Sequence, residues 1–116
     1  MKYTILIYET EADFGSRTDE RRKAAYWGAY RAYTQALKEA GVMVGGAPLQ
    51  PGALGTTVRQ RDGKRHVQDV PYAETKEQLG GYYEIEVADL DTALDWAACC
   101  PAAATGAVEV RPNLPM

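Results

Sequence analysis

Apolar and polar residues alternate from the start of the chain. Tyr3, Ile5 and Ile7 fall on one side, and Thr4, Leu6 and Tyr8 on the other, which predicts a strand over residues 2–8. Both sides are apolar, so the strand is expected to be central, with a helix on one face and a partner surface on the other. Residues 9–15 read as a polar connection. Ser16 and Asp19 have capping-box spacing, and a long helix is expected from about 18 to 40. Its stripe is Tyr26, Tyr30, Tyr33 and Leu37, widened by Trp27 and Thr34. Gly41 stands where a left-handed cap belongs. So aromatic a stripe has two readings. Either the rings pack on a sheet with their hydroxyls at its rim, or one or two hydroxyls border a pocket.

Val42, Met43 and Val44 form a short second strand that ends at Gly45-Gly46, followed by a Pro- and Gly-rich loop over 47–52. Residues 55–61 and 64–70 read as two strands joined at Asp62-Gly63, a strong hairpin signal. This hairpin is polar, so it sits at an edge or projects. Residues 82–88 give a further strand, with Tyr83, Ile85 and Val87 on one face and Glu84 and Glu86 on the other. Asp89 is the expected N-cap of a second helix that buries Leu90, Ala93, Leu94 and Ala97, has Trp96 at the border, and ends at Pro101. Residues 107–110 make a last strand, and Pro112 and Pro115 mark a frayed tail. Without the hairpin the order is βαββαβ. The fold class is therefore α+β: a ferredoxin-like βαββαβ with an inserted β-hairpin, its antiparallel sheet carrying helices on one face. The far face is apolar, and a second copy is its economical cover. This predicts a homodimer, a dimeric α+β barrel.

Composition narrows the function classes. The 116 residues fit one domain, and 46% hydrophobic with 25% charged content is ordinary for a soluble protein. A net charge of −3 argues against nucleic acid. The basic clusters at 17–23 and 59–65 contain Asp19, Glu20 and Asp62, and read as solvated faces. No run is long and apolar enough for a membrane span, and the N-terminus lacks the form of a secretory signal, so a cytoplasmic location is expected. Cys99 and Cys100 are adjacent in an apolar setting and read as buried thiols. With one histidine and no other cysteine, no sulfur–imidazole metal site is expected, and nothing calls for a cofactor.

The candidate chemistry gathers at 69–83. Asp69, Glu74 and Glu77 lie near Lys76, with Tyr72, Tyr82 and Tyr83 close in sequence. A carboxylate partly covered by tyrosines can serve as a general base, which nominates Asp69 and Glu74 as catalytic. Lys76 or Arg59 would hold an anionic group, and His66, Tyr72, Glu77 and Tyr82 complete a ligand-binding set. The structural alternative is that Asp69 caps a turn before Pro71 and that Glu-Thr-Lys-Glu satisfies its own charges. His66 is equally read as an exposed hairpin residue. Arg111 is a further anion holder or a partner for a carboxylate, and Asp13 a weaker candidate at the end of the first strand. No glycine-rich phosphate loop or nucleophile elbow is present.

Ala73 to Tyr83 resembles the signature of the YCII-related proteins, in the branch named after an Asp-Gly-Pro-Phe motif. Residues 41–46, the turn at 61–64, residues 89–94 and residues 108–112 also resemble that branch, so the resemblance covers nearly the whole chain. The naming motif reads Asp69-Val70-Pro71-Tyr72 here. The resemblance implies a dimeric ferredoxin-like fold. Other branches pair a histidine with an aspartate. This chain has only His66, on the hairpin, so that dyad does not transfer. Two readings follow. One is a small-molecule-binding or enzymatic domain with a cleft near the 69–83 loop. The other is a non-catalytic regulatory or interaction protein, an accessory role in an extracytoplasmic-function sigma factor system being implied by members of the branch that are encoded beside such factors.

Overall fold

The computed structural model of the chain describes residues 1–69 and 76–116. The first strand, β1 (Lys2–Thr10), is longer than its clearest alternation, and its inward positions are Tyr3, Ile5, Ile7 and Glu9. A short helix α1 (Glu11–Ser16) follows at once. Its capping box is Thr10 and Asp13, each side chain bonded to the other's backbone N–H. The box therefore lies six residues before the predicted Ser16–Asp19 pair. Asp19 instead accepts from the backbone N–H groups of Arg21 and Arg22 in the turn before α2 (Lys23–Glu39), which has no side-chain cap of its own.

Helix α2 ends in a Schellman motif. Gly41 adopts φ 72°, its N–H donates to Lys38 O, and the N–H of Val42 donates to Leu37 O. Strand β2 (Met43–Pro48) runs through Gly45 and Gly46 rather than stopping there. After a 3-10 turn at Gly52–Leu54, strands β3 (Thr57–Arg61) and β4 (Lys64–Gln68) form the predicted hairpin. Asp62 and Gly63 both have positive φ, as its two-residue turn requires. The hairpin is a separate two-stranded sheet, and all of β4 is exposed.

Strand β5 (Glu77–Glu86) starts five residues before the predicted boundary. Helices α3 (Leu90–Ala98) and α4 (Ala102–Thr105) precede β6 (Ala107–Pro112). Asp89 caps α3 as expected, accepting from Thr92 N. Pro101 opens α4 rather than ending α3, and Pro112 belongs to β6, opposite Tyr3, rather than to a frayed tail. The main sheet has the order β2-β5-β1-β6 with every pair antiparallel. The βαββαβ order and this strand arrangement are those of the predicted ferredoxin-like α+β class.

Tyr3, Ile5, Tyr83 and Ile85 on the sheet pack with Tyr33 and Leu37 of α2 and Ala93 and Ala97 of α3. Full burial of Ile5, Leu37 or Ile85 contributes about 1.5–3 kcal/mol each. Tyr33 Oη donates to Trp96 O at 2.8 Å and ties the two long helices together. Leu90 and Leu94, expected inside, are 47% and 46% exposed, because α3 turns only its alanine stripe to the sheet. The cysteines divide as well. Cys100 is buried and Cys99 is exposed. Burial pushes the Cys100 thiol up to about 11. Among the described residues no helix is long and apolar enough to cross a membrane.

Candidate active site

Period two carries β1 one step beyond its apolar run, and that step places Glu9 on the buried face. The carboxylate is 2% exposed. A charge in such a position must be paired. Arg17, the C-terminal cap of α1, supplies the pairing: its Nη2 lies 2.6 Å from Glu9 Oε1. Tyr26, on the first turn of α2, donates from Oη to Glu9 Oε2 at 2.5 Å and accepts from Arg17 Nε at 2.9 Å. The remaining Arg17 donors reach the carbonyls of Gly80, at 2.9 Å, and Leu49. The guanidinium also lies over the Phe14 ring at 4.7 Å, with Tyr26 and Trp27 at 5.7 Å. Trp27 Nε1 donates to the Arg17 carbonyl.

The electrostatics follow from this enclosure. Burial opposes the Arg17 charge, but the hydrogen bonds to Glu9 and Tyr26 outweigh it and hold the guanidinium above its ordinary range. Burial raises Tyr26 strongly, and its bond to Glu9 adds to the rise. Tyr30, one turn along α2, is raised by burial and by the nearby Glu9 carboxylate. Its hydroxyl is buried and has no hydrogen-bond partner among the described residues.

The cluster floors a cleft of about 500 Å³ between α2 and the β2 edge of the sheet. Its walls are largely aromatic and aliphatic, with Ile7, Trp27, Tyr30, Met43 and Tyr83 among them. Thr34 and Tyr83, both in its lining, share a hydrogen bond of 2.6 Å between their hydroxyls. Glu9, Tyr26 and Tyr30 also line a smaller hollow on the α1–α4 side. The cluster is thus a partition between two recesses. A polar group entering from the larger one meets a carboxylate and a phenol whose positions are already fixed.

The residues nominated from the sequence are distributed differently. Arg59 and His66 face each other across the β3–β4 hairpin, and His66 is exposed. Asp69 is exposed and accepts from Thr56 Oγ1 at 3.5 Å. Lys76 is exposed, and Glu77 begins β5 opposite Thr10. Tyr82 points to the open face of the sheet, opposite Leu6, and is 39% exposed. Glu74 and Tyr72 lie outside the described residues. None of Arg59, His66, Asp69, Lys76, Glu77 and Tyr82 lines the cleft. Gly80, Gly81 and Tyr83, from the same stretch, do.

Asp13 is engaged in the α1 cap and by Thr105 Oγ1 at 2.9 Å. Arg111 pairs with Glu109 at 2.5 Å. The basic cluster at 17–23 is not one solvated face. Arg22 and Lys23 are half-exposed, but the Arg17 side chain is only 10% exposed. Of the tyrosine stripe, Tyr26 and Tyr30 border the cleft, as the pocket reading expects. Among the described residues no three His, Cys, Asp or Glu side chains gather as metal ligands would.

Comparison with known proteins agrees with this architecture. The family model of the YCII-related domain matches residues 1–116. An uncharacterised protein of Rhizobium meliloti is 39% identical over 117 residues, covering 97% of this chain and 91% of that protein. Among solved structures, 5-chloro-2-hydroxyhydroquinone dehydrochlorinase from Burkholderia phenoliruptrix, in complex with 2,5-dihydroxybenzoquinone, superposes with a TM-score of 0.56. It is 17% identical, over 98% of this chain and 94% of that one. That likeness is one of fold. The family match and the relative together establish that the chain belongs to the YCII-related domain family.

Proposed function

We propose that the chain is a small-molecule-binding or enzymatic domain whose ligand enters the cleft between α2 and the β2 edge. The observation that carries this reading is the fixed Glu9–Arg17–Tyr26 cluster at the floor of a largely apolar cleft. Apolar walls with a few convergent polar groups are the usual form of a small-molecule site. A planar ring suits walls built from Trp27, Tyr30 and Tyr83, and a hydroxyl or carbonyl on that ring suits the floor. The hydroxylated quinone held by the dehydrochlorinase is a molecule of this type.

Glu9 takes the proton-accepting role that the sequence reading gave to Asp69 or Glu74. A ligand hydroxyl that joins Tyr26 as a donor to Glu9 meets a carboxylate held in place by Arg17 and Tyr26. The signature stretch contributes Gly80, Gly81 and Tyr83 to the walls. A second copy covers the open sheet face, making the functional unit a homodimer.

Thermal-shift titration with hydroxylated quinones and phenols tests the reading on wild type and Tyr26→Phe. Ring compounds should raise the wild-type Tm with concentration, and Tyr26→Phe should lose a substantial part of the rise. No stabilisation by any compound, or equal stabilisation of both proteins, would contradict it.

A further inference from the structure

Helix α2 carries a second set of groups into the cleft beyond its aromatic stripe. Arg31, Thr34, Gln35 and Lys38 follow one another at helical spacing and line its mouth. Arg31 and Lys38 are two turns apart, about 10 Å along the axis. Both are exposed, and neither forms an ion pair among the described residues.

Other cations nearby are treated differently. Arg22 lies 3.6 Å from Asp19, Lys23 lies 3.0 Å from Glu20, and Arg17 is spent on Glu9. The carboxylate of Glu39, next to Lys38 in sequence, accepts from Gln35 Nε2 at 3.1 Å. Glu9 and Arg17 cancel at the floor, so the groups lining the cleft sum to two uncompensated positive charges. Low-dielectric walls around such charges concentrate their field inside the cleft more than an open helix surface would.

We infer that the ligand is an anion: a planar, largely apolar molecule whose carboxylate or acidic hydroxyl is held by Arg31 and Lys38 at the mouth while its ring enters the cleft. The inference rests on the cleft being the ligand site. It adds the charge of the ligand and the two residues that select it. Arg31 suits a planar oxyanion because its guanidinium can donate two parallel hydrogen bonds, and Lys38 adds a mobile point charge.

A matched probe pair tests this: 4-hydroxybenzoate and its neutral counterpart 4-hydroxybenzamide, titrated by calorimetry and amide NMR. Wild type should bind the acid roughly five- to tenfold more tightly than the amide, the scale of two solvent-facing charge contacts. The gap should narrow as salt rises from about 10 mM to about 1 M, where the screening length falls from about 30 Å to about 3 Å. Arg31→Gln/Lys38→Gln, which changes two exposed side chains, should close the gap by weakening the acid far more than the amide. If acid and amide bind the cleft equally, or the double variant keeps the preference, the anion inference falls and the cleft stands. If neither probe perturbs the cleft amides of the folded protein, the cleft reading falls and the inference falls with it.

Discussion

Gly80 leaves room for Glu9. A methyl group on the Gly80 α-carbon would start inside the Glu9 carboxylate, against Oε1, with Arg17 Nη2 only 3.2 Å away. Gly80 is also the extra residue of the bulge at which β5 shifts register against β1, between Ile7–Gly81 and Tyr8–Leu79. Its carbonyl accepts from Arg17. One glycine therefore sets the strand register, the space for a buried carboxylate and a contact to its counterion. Its φ is not positive, so the requirement is close approach and not backbone freedom.

Gly80→Ala should therefore cost far more than an ordinary strand substitution. The carboxylate it strikes is the flexible end of a side chain, but Arg17 and Tyr26 hold that end in place. Relief requires breaking the ion pair or distorting the bulge, so a loss of about 1–3 kcal/mol is expected, together with loss of ring-compound binding. Urea unfolding of the variant measures the first effect. A variant as stable as wild type would show that Glu9 is not held as described.

Four tyrosines should make the fold sensitive to alkali. Burial is the chief reason that Tyr26, Tyr30, Tyr33 and Tyr83 are all raised above the ordinary value of 10.0. The folded chain keeps these protons at a pH where the unfolded chain releases them. Their contribution is therefore complete below about pH 10 and is lost as pH rises beyond it. Ultraviolet titration should show these tyrosines ionising in one steep step that coincides with loss of ellipticity. Separate, gradual ionisation with the fold intact would contradict the burial of the aromatic stripe.

The framework was legible because it is periodic. Alternation at Tyr3, Ile5 and Ile7, the spacing from Tyr26 to Leu37, Gly41 and Asp62-Gly63 each dictate local geometry, and they located β1, α2 and the hairpin. The cluster was harder to see because it is non-local. Glu9, Arg17, Tyr26 and Gly80 meet only after the strands pair. One signal was available: extending the period of β1 by a single step puts Glu9 on the inward side of the sheet. No comparable signal marks Arg17, which sits among exposed basic residues and is buried by Phe14, Tyr26 and Trp27. Leu90 and Leu94 erred the other way. Helical spacing cannot tell which side of a short helix meets the sheet when alanines lie on one side and leucines on the other.

The proposed dimer makes the open face of the sheet accountable. Leu6 and Tyr82 are opposite each other there, and Tyr8 and Leu79 form the next apolar pair along the strands. Leu6→Lys/Tyr82→Lys should give a monomer by sedimentation velocity with helical and strand content unchanged, because neither residue belongs to the core. A wild-type chain that sediments as a monomer at micromolar concentration would contradict the dimer.

The most direct test of the central claim is a map of backbone and indole NMR shifts during titration with 2,5-dihydroxybenzoquinone and 4-hydroxybenzoate. Trp27 Nε1–H, bonded to the Arg17 carbonyl, reports on the floor of the cleft, and the amides of Gly80 and Gly81 report on its wall. The account predicts saturable shifts concentrated at these three reporters and along the Tyr26–Lys38 face of α2. Shifts confined to Asp69, Lys76, Glu77 and the β3–β4 hairpin, with Trp27, Gly80 and Gly81 unmoved, would contradict it.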